Sequence, residues 1–194
     1  MRLILTILMT AAMLSGCGVR QIPQQKNAVD AALAEINNQY KRRADLVPNL
    51  VAVVKGYASH EQETLTAVTE ARAKASAATI DPSHLTGEQL QQFQAAQGGL
   101  TQALGKLMVV VERYPELKAN ENFRDLQAQL EGTENRITVA RQRYIETIKI
   151  FNDLLSVPPE SWTNSLFYHY DKMPQWAVSA DEQKANEQAP KVEF

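Results

Sequence analysis

The sequence predicts an all-α fold, an up-and-down bundle of amphipathic helices that gives way at Ser156 to an irregular aromatic tail. Two observations carry the prediction. Between Asn120 and Leu155 the apolar residues Leu126, Leu130, Ile137, Ala140, Tyr144, Ile148, Phe151 and Leu155 recur at helical spacing, so they share one face. That face cannot be buried by an isolated helix, and three upstream stretches repeat the same period with only short connections between them. Short connections make neighbouring helices antiparallel. A hydrophobic fraction of 44% over 194 residues is enough for one core.

The N-terminus reads as an export signal. Arg2 supplies a positive charge, and Leu3–Met13 is an apolar run shorter than the roughly 20 residues of a membrane span. It leads into Leu14-Ser15-Gly16-Cys17, which resembles the lipobox of bacterial lipoproteins. That resemblance implies cleavage of residues 1–16, a thioether-linked diacylglycerol on Cys17, and acylation of the new amine. The rival is a plain signal peptide with an incidental cysteine. Cys17 is the chain's single cysteine, so it has no partner for an intramolecular disulfide. Each buried lipid methylene adds about 0.8 kcal/mol, and two or three acyl chains hold far better than one. Gly18 replaces the aspartate that favours inner-membrane retention in lipoproteins of this kind, which favours the outer membrane where a cell has one. Residues 17–26 are expected to be a short polar tether between lipid and domain.

The bundle is expected to span 27–155. Asn27 and Asp30 suit a helix N-cap, and Val29, Leu33, Ile36 and Tyr40 begin a stripe that stays in phase through Ala75. Pro48 interrupts it. An interior proline costs about 3 kcal/mol but little in a first turn, so the preferred arrangement is two helices, 26–43 and 46–77, with Asp45 as the second cap. The alternative is one long helix kinked at Pro48, with Gly56 an interior weak point worth about 1 kcal/mol. Ile80-Asp81-Pro82-Ser83 is a turn. Thr86 and Gln89 then form a capping box, with Leu85 and Leu90 placed as a hydrophobic staple. Leu90, Phe93, Leu100, Leu104, Leu107, Val111 and Tyr114 continue the stripe, and Gly98-Gly99 marks either a close helix approach or a local break. Tyr114-Pro115 ends this helix. Asn120 or Asn122 caps the last one, and Pro158-Pro159 stops it.

In the tail, 156–194, Trp162, Phe167, Tyr168, Tyr170 and Trp176 lie among prolines and polar residues without helical period. The tail either lies along the bundle and buries some rings, the preferred reading, or is a mobile arm offering aromatics to a partner. Ala180–Ala189 is polar enough to lack order.

Several runs together resemble the LemA family: KRRADLVPNLV at 41–51, VKGYASHEQETL at 54–65, TEARAKA at 69–75, the long run from Leu104 to Asn152, and the terminal APKVEF. The resemblance is close over 40–155 and loose in the tail. It implies an antiparallel four-helix bundle on a membrane-attached chain, with no established enzymatic activity. Members of that family more often carry an N-terminal transmembrane helix where this chain has a lipobox.

Motifs for chemistry are missing. A zincin helix needs histidines four apart; His60 is followed at that spacing by Thr64, and His84 and His169 have no companions. There is no nucleophile elbow and no glycine-rich phosphate loop. Glu112 and Glu134 are candidates for paired carboxylates only in that helices can bring distant residues together. No catalytic residue, metal or cofactor is assigned. Net charge is −2 without a basic block, which argues against nucleic acid.

A polar set remains: Arg43, Asp45 and Asn49 beside the proline, His60, and Glu134, Asn135 and Arg136 interrupting the last stripe. It forms either a recognition site or, as preferred, a hydrogen-bonded network that fixes helix register. On that reading Arg136→Ala destabilises the bundle. The sequence thus describes a lipid-anchored envelope protein outside the cytoplasm, in the cell membrane or outer membrane. It binds a protein or another envelope component. The alternatives are a self-associating spacer, or an enzyme with an unrecognised helical site.

Overall fold

Stripes at helical spacing joined by short connections leave little room for any other regular structure, and in a computed structural model of the chain the described residues, 16–82 and 85–176, form helices joined by turns, with no strand among them. The stretch up to Ser15, which includes the expected export signal, the side chain of Cys17, Ser83, His84 and the terminal stretch 177–194 lie outside the described residues. The elements are α1 (Gly16–Tyr57), α2 (Gln62–Ala77), α3 (Gly87–Val111), the one-turn α4 (Pro115–Ala119), α5 (Glu121–Leu154), the short α6 (Glu160–Thr163) and a π-helical turn (Asn164–Tyr168). Packing is chiefly α1 on α5 and α2 on α3, with α1 also against α2. α1 and α5 run in opposite senses. Gln25 reaches the Thr147 carbonyl near one end (3.0 Å), and Asn120 reaches the Tyr57 hydroxyl at the other (3.0 Å).

The first helix departs most from expectation. Neither preferred helix, 26–43 or 46–77, exists as such. α1 runs 42 residues, about 60 Å, straight through Pro23 and Pro48, and the chain breaks instead at Ala58–Glu61. Asp45 is therefore not a cap, and Asn27 lies inside the helix, where neighbouring Lys26 grips Asp30 (2.6 Å). The stretch expected to be a tether is helical in its described part, with Ile22 fully buried.

Each proline in α1 should leave the carbonyl four residues back without its amide. For Pro48 that carbonyl belongs to Ala44, and Arg72 of α2 donates to it through Nε (2.9 Å). For Pro23 it belongs to Val19, and the Tyr168 hydroxyl donates to it (2.6 Å). A charged donor contributes about 1.5–3 kcal/mol, comparable to the roughly 3 kcal/mol that an interior proline costs. Both defects are repaired from outside the helix. The chain breaks later, where Gly56, Ser59 and His60, all poor helix formers, cluster.

Local signals were otherwise followed. Thr86 and Gln89 form the reciprocal capping box (3.2 and 3.0 Å), and Asn120 caps α5 by accepting from the Phe123 amide (3.0 Å). Gly98 and Gly99 do neither of the things expected of them. α3 passes through them unbroken, and a Cβ at either would meet nothing within 4 Å.

The tail is more regular than its composition suggests. Residues 160–168 are helical, ending where the His169 amide bonds the Asn164 carbonyl (2.8 Å) and His169 takes a left-handed φ of 54°. Asn164 then clamps both polar groups of Tyr170, and Asn152 of α5 does the same for Met173. These clamps lay 170–176 along the bundle. Trp176 meets Phe93 and Tyr144 edge-on at 6.4 and 6.1 Å, and the Tyr144 hydroxyl donates to the Pro174 carbonyl (3.1 Å).

The proline repair yields a double-mutant test. Arg72→Met should cost about 2 kcal/mol by urea denaturation, because Ala44's carbonyl is left unpaired. In a Pro48→Ala background, where an amide is again available, the same change should cost less than half as much.

Candidate functional site

The apolar core is not continuous. One cluster gathers Leu50, Val54, Leu65, Val68, Leu100, Leu107, Leu117 and Phe123. The other gathers Ile22, Leu33, Ile36, Leu90, Phe93, Tyr144, Ile148 and Phe151. Between them, at the level of Arg43 in α1, Gln97 and Thr101 in α3, and Thr133 and Glu134 in α5, lies a polar layer.

Arg43 is its centre. Its side chain is 1% exposed, although it stands on the apolar stripe of α1. Burying an unpaired cation would be prohibitive, and the surroundings compensate. Nη1 donates to Glu134 (2.6 Å) and to the Thr101 hydroxyl (2.9 Å). Nη2 donates to the carbonyl and side-chain oxygens of Gln97 (3.1 and 2.8 Å). The guanidinium carbon lies 5.0 Å from the centre of the Tyr40 ring, whose face adds attraction. Nε has no hydrogen-bond partner. Gln97 passes the network on, donating to the Ala75 carbonyl at the C-terminal end of α2 (3.1 Å), a group the helix itself leaves without an amide. Glu134 is 44% exposed, so the pair has one end in the core and one in water.

Of the residues singled out from sequence, the fold brings Arg43 and Glu134 together and scatters the rest. Asp45 and Asn49 are exposed on α1, His60 is exposed in the α1–α2 turn, and Asn135 and Arg136 are exposed on α5. Arg136 makes only a long bond to the buried Thr133 hydroxyl (3.3 Å). Arg136, expected to hold the bundle together, thus lies at the surface, and the buried cation is Arg43. Glu112 and Glu134 do not pair; Glu112 binds Lys118 and Glu134 binds Arg43 (each 2.6 Å). Gln97, Thr101 and Tyr40 were missed, although Gln97 fills a position in phase with Leu90, Phe93 and Leu100. Among the described residues no group of three or more His, Cys, Asp and Glu side chains is placed to hold a metal.

Two phenols have raised pKa values. A hydrogen bond from Tyr114 to Glu61 (3.0 Å), then burial, holds the Tyr114 proton. Burial alone pushes Tyr144 well above its ordinary 10.0. Apart from the Arg43 Nε, the guanidinium's donors are paired with the Gln97 carbonyl and side-chain oxygens, the Thr101 hydroxyl and the Glu134 carboxylate of the same chain. The layer's chemistry is that of a structural cross-tie.

These features define a class: an all-helical domain whose long helices are cross-tied by a buried arginine. A model described as the LemA family matches residues 32–194, and the chain belongs to that family. It is not a family of known enzymes. The chain is also similar to two curated proteins of Paramagnetospirillum magneticum (strain ATCC 700264 / AMB-1), Magnetosome protein MamQ 2 and Magnetosome protein MamQ 1. Each is 35% identical over 57 residues, which is 29% of this chain and 21% of the relative. The chain spans about a fifth of the length of these relatives.

Arg43→Met should lower stability by roughly 3 kcal/mol, Glu134→Gln by about 1, and Arg136→Ala by less than about 0.5, read from thermal melts by circular dichroism. For Tyr144, the folded state holds the proton more tightly than the unfolded chain. The stability it contributes is complete below pH about 10 and is lost as pH rises beyond. The melting midpoint of the native chain should therefore fall more steeply above pH about 10 than that of Tyr144→Phe.

Proposed function

We propose that this LemA-family chain is a lipid-anchored envelope protein whose helical domain binds another envelope component and makes or breaks no bonds itself. The observation that carries the reading is the sequence Leu14-Ser15-Gly16-Cys17 at the end of an apolar run, with Cys17 the chain's single cysteine. Residues 1–16 are removed, Cys17 carries the lipid, and the domain stands outside the cytoplasm at the cell membrane or outer membrane. Among the described residues no helix is long and apolar enough to cross a membrane, so attachment rests on the N-terminus. The four long helices complete an antiparallel up-and-down bundle, supported by the opposed directions of α1 and α5 and by the ties from Arg43 and Arg72 to the other helices. The polar layer fixes their register.

A polar layer paired almost entirely within the chain supports a binding role over a catalytic one, because only the Nε of Arg43 is left in it to meet a developing charge. Recognition then falls to the outer faces of the bundle.

The test is mass spectrometry of the N-terminal peptide of protein extracted from membranes. The expected species begins at Cys17 and carries the mass of a diacylglycerol and a further acyl chain. Cys17→Ser should leave the precursor uncleaved. An intact Met1 on the extracted native protein overturns the reading.

A further inference from the structure

The segment 160–168 is two-sided. Asn164 and Tyr168 turn toward the bundle, one clamping Tyr170 and the other donating to the Val19 carbonyl. Trp162, Leu166 and Phe167 turn to solvent and are 69%, 72% and 63% exposed. Positions 162 and 166 are one helical turn apart, and 167 is adjacent, so the three make one apolar ridge. Burying such groups is worth having, and a single lone residue would need no account, but three together on one turn mark a contact surface.

The location of the ridge says what it contacts. Tyr168 immediately follows it and is bonded at 2.6 Å to Val19, two residues after Cys17. At helical rise that separation is about 3 Å along the axis. α1 is already helical at Val19 and Ile22 is packed in the core, so the chain has no slack between the lipid attachment point and the folded domain. Any bilayer that holds Cys17 therefore lies within reach of the ridge. Tryptophan with neighbouring large apolar side chains is the composition found at membrane–water interfaces, where the indole ring is buried and its N–H stays wet.

We propose that Trp162, Leu166 and Phe167 bed into the interfacial layer of the phospholipid bilayer beside the lipidated Cys17, giving the protein a second membrane contact that sets the tilt of the bundle. This rests on the reading of Cys17 as the anchor. One lipid-modified point leaves a body free to swivel. Two points joined through the Tyr168–Val19 bond do not. The repair of the Pro23 defect and the orientation of the domain are then the same contact.

The experiment uses the full chain purified from membranes and reconstituted into phosphatidylcholine vesicles, with or without lipids brominated high in the acyl chains. The Trp176→Phe variant leaves Trp162 as the sole tryptophan. Its emission should shift to the blue on reconstitution and fall about twofold with brominated lipid, whereas Trp162→Phe, which keeps the packed Trp176, should be little quenched. If Trp176→Phe does not fold, the native chain should still be quenched more than Trp162→Phe. Vesicle flotation separates the two readings. Protein that floats with its Trp162 unquenched overturns the ridge and leaves the anchor standing. Protein that does not float overturns both. A blue shift without bromolipid quenching assigns the ridge to a protein contact and overturns the proposal.

Discussion

One turn of α1 is tied by side chains to every other long helix. At Arg43 the guanidinium reaches α3 through Gln97 and Thr101 and α5 through Glu134. At Ala44, the next residue, the carbonyl released by Pro48 is taken by Arg72 of α2. A buried cation and an orphaned carbonyl are each destabilising when alone. Each is tolerable only if a particular partner stands in a particular place. A one-turn slip of α1 would strand both at once, whereas the leucines and valines above and below could slide and repack at modest cost. The polar layer therefore supplies what the two apolar clusters cannot, a unique register.

The same reasoning applies near the N-terminal end of α1, where Pro23 releases the Val19 carbonyl and Tyr168 accepts the task of pairing it. In both places a helix defect recruits a donor from a segment distant in sequence, 28 residues away for Arg72 and 149 for Tyr168. The proline that weakens the helix locally makes a docking point for another element. Without Tyr168 the tail would depend on the Asn152 and Asn164 clamps, the Tyr144–Pro174 hydrogen bond and ring contacts.

What could be read from the sequence follows the range of the interaction. The capping box at Thr86 and the cap at Asn120 are legible because donor and acceptor lie three residues apart. The helical class is legible because each stripe carries its own period. Pro48 is misleading for the opposite reason: its local penalty is written in the chain, and its remedy, Arg72, lies on another helix. Arg43 is the more instructive case. A charge and a glutamine, Gln97, each standing in phase with an apolar stripe, signal a buried polar layer before any coordinates exist. Exposure alone separates them from Arg136, which is as close to its stripe but turns outward. Nothing periodic announces the helical turn at 160–168, since it is closed by the Asn164 clamp and by a left-handed His169.

The two ends of the domain differ in a way that follows from this arrangement. The core cluster on the Ile22 side of the polar layer is rich in rings: Tyr40, Phe93, Tyr144 and Phe151 within it, and Tyr168, Tyr170 and Trp176 packed against it. The cluster on the other side is mainly aliphatic and closes with solvent-reaching polar contacts, Arg113 to Glu61 and Asn120 to Tyr57. Rings bury large areas while keeping a polar edge, which suits an end that must accommodate carbonyls from an irregular tail. The polar end has no comparable demand and presents hydrogen-bonding groups to water. Because α1 is continuous from one end to the other, with both proline defects bridged by donors from other segments, whatever holds its first turn also bears on where those outward groups point, some 60 Å away at helical rise. The groups at the polar end thus take their orientation from the opposite end of the molecule.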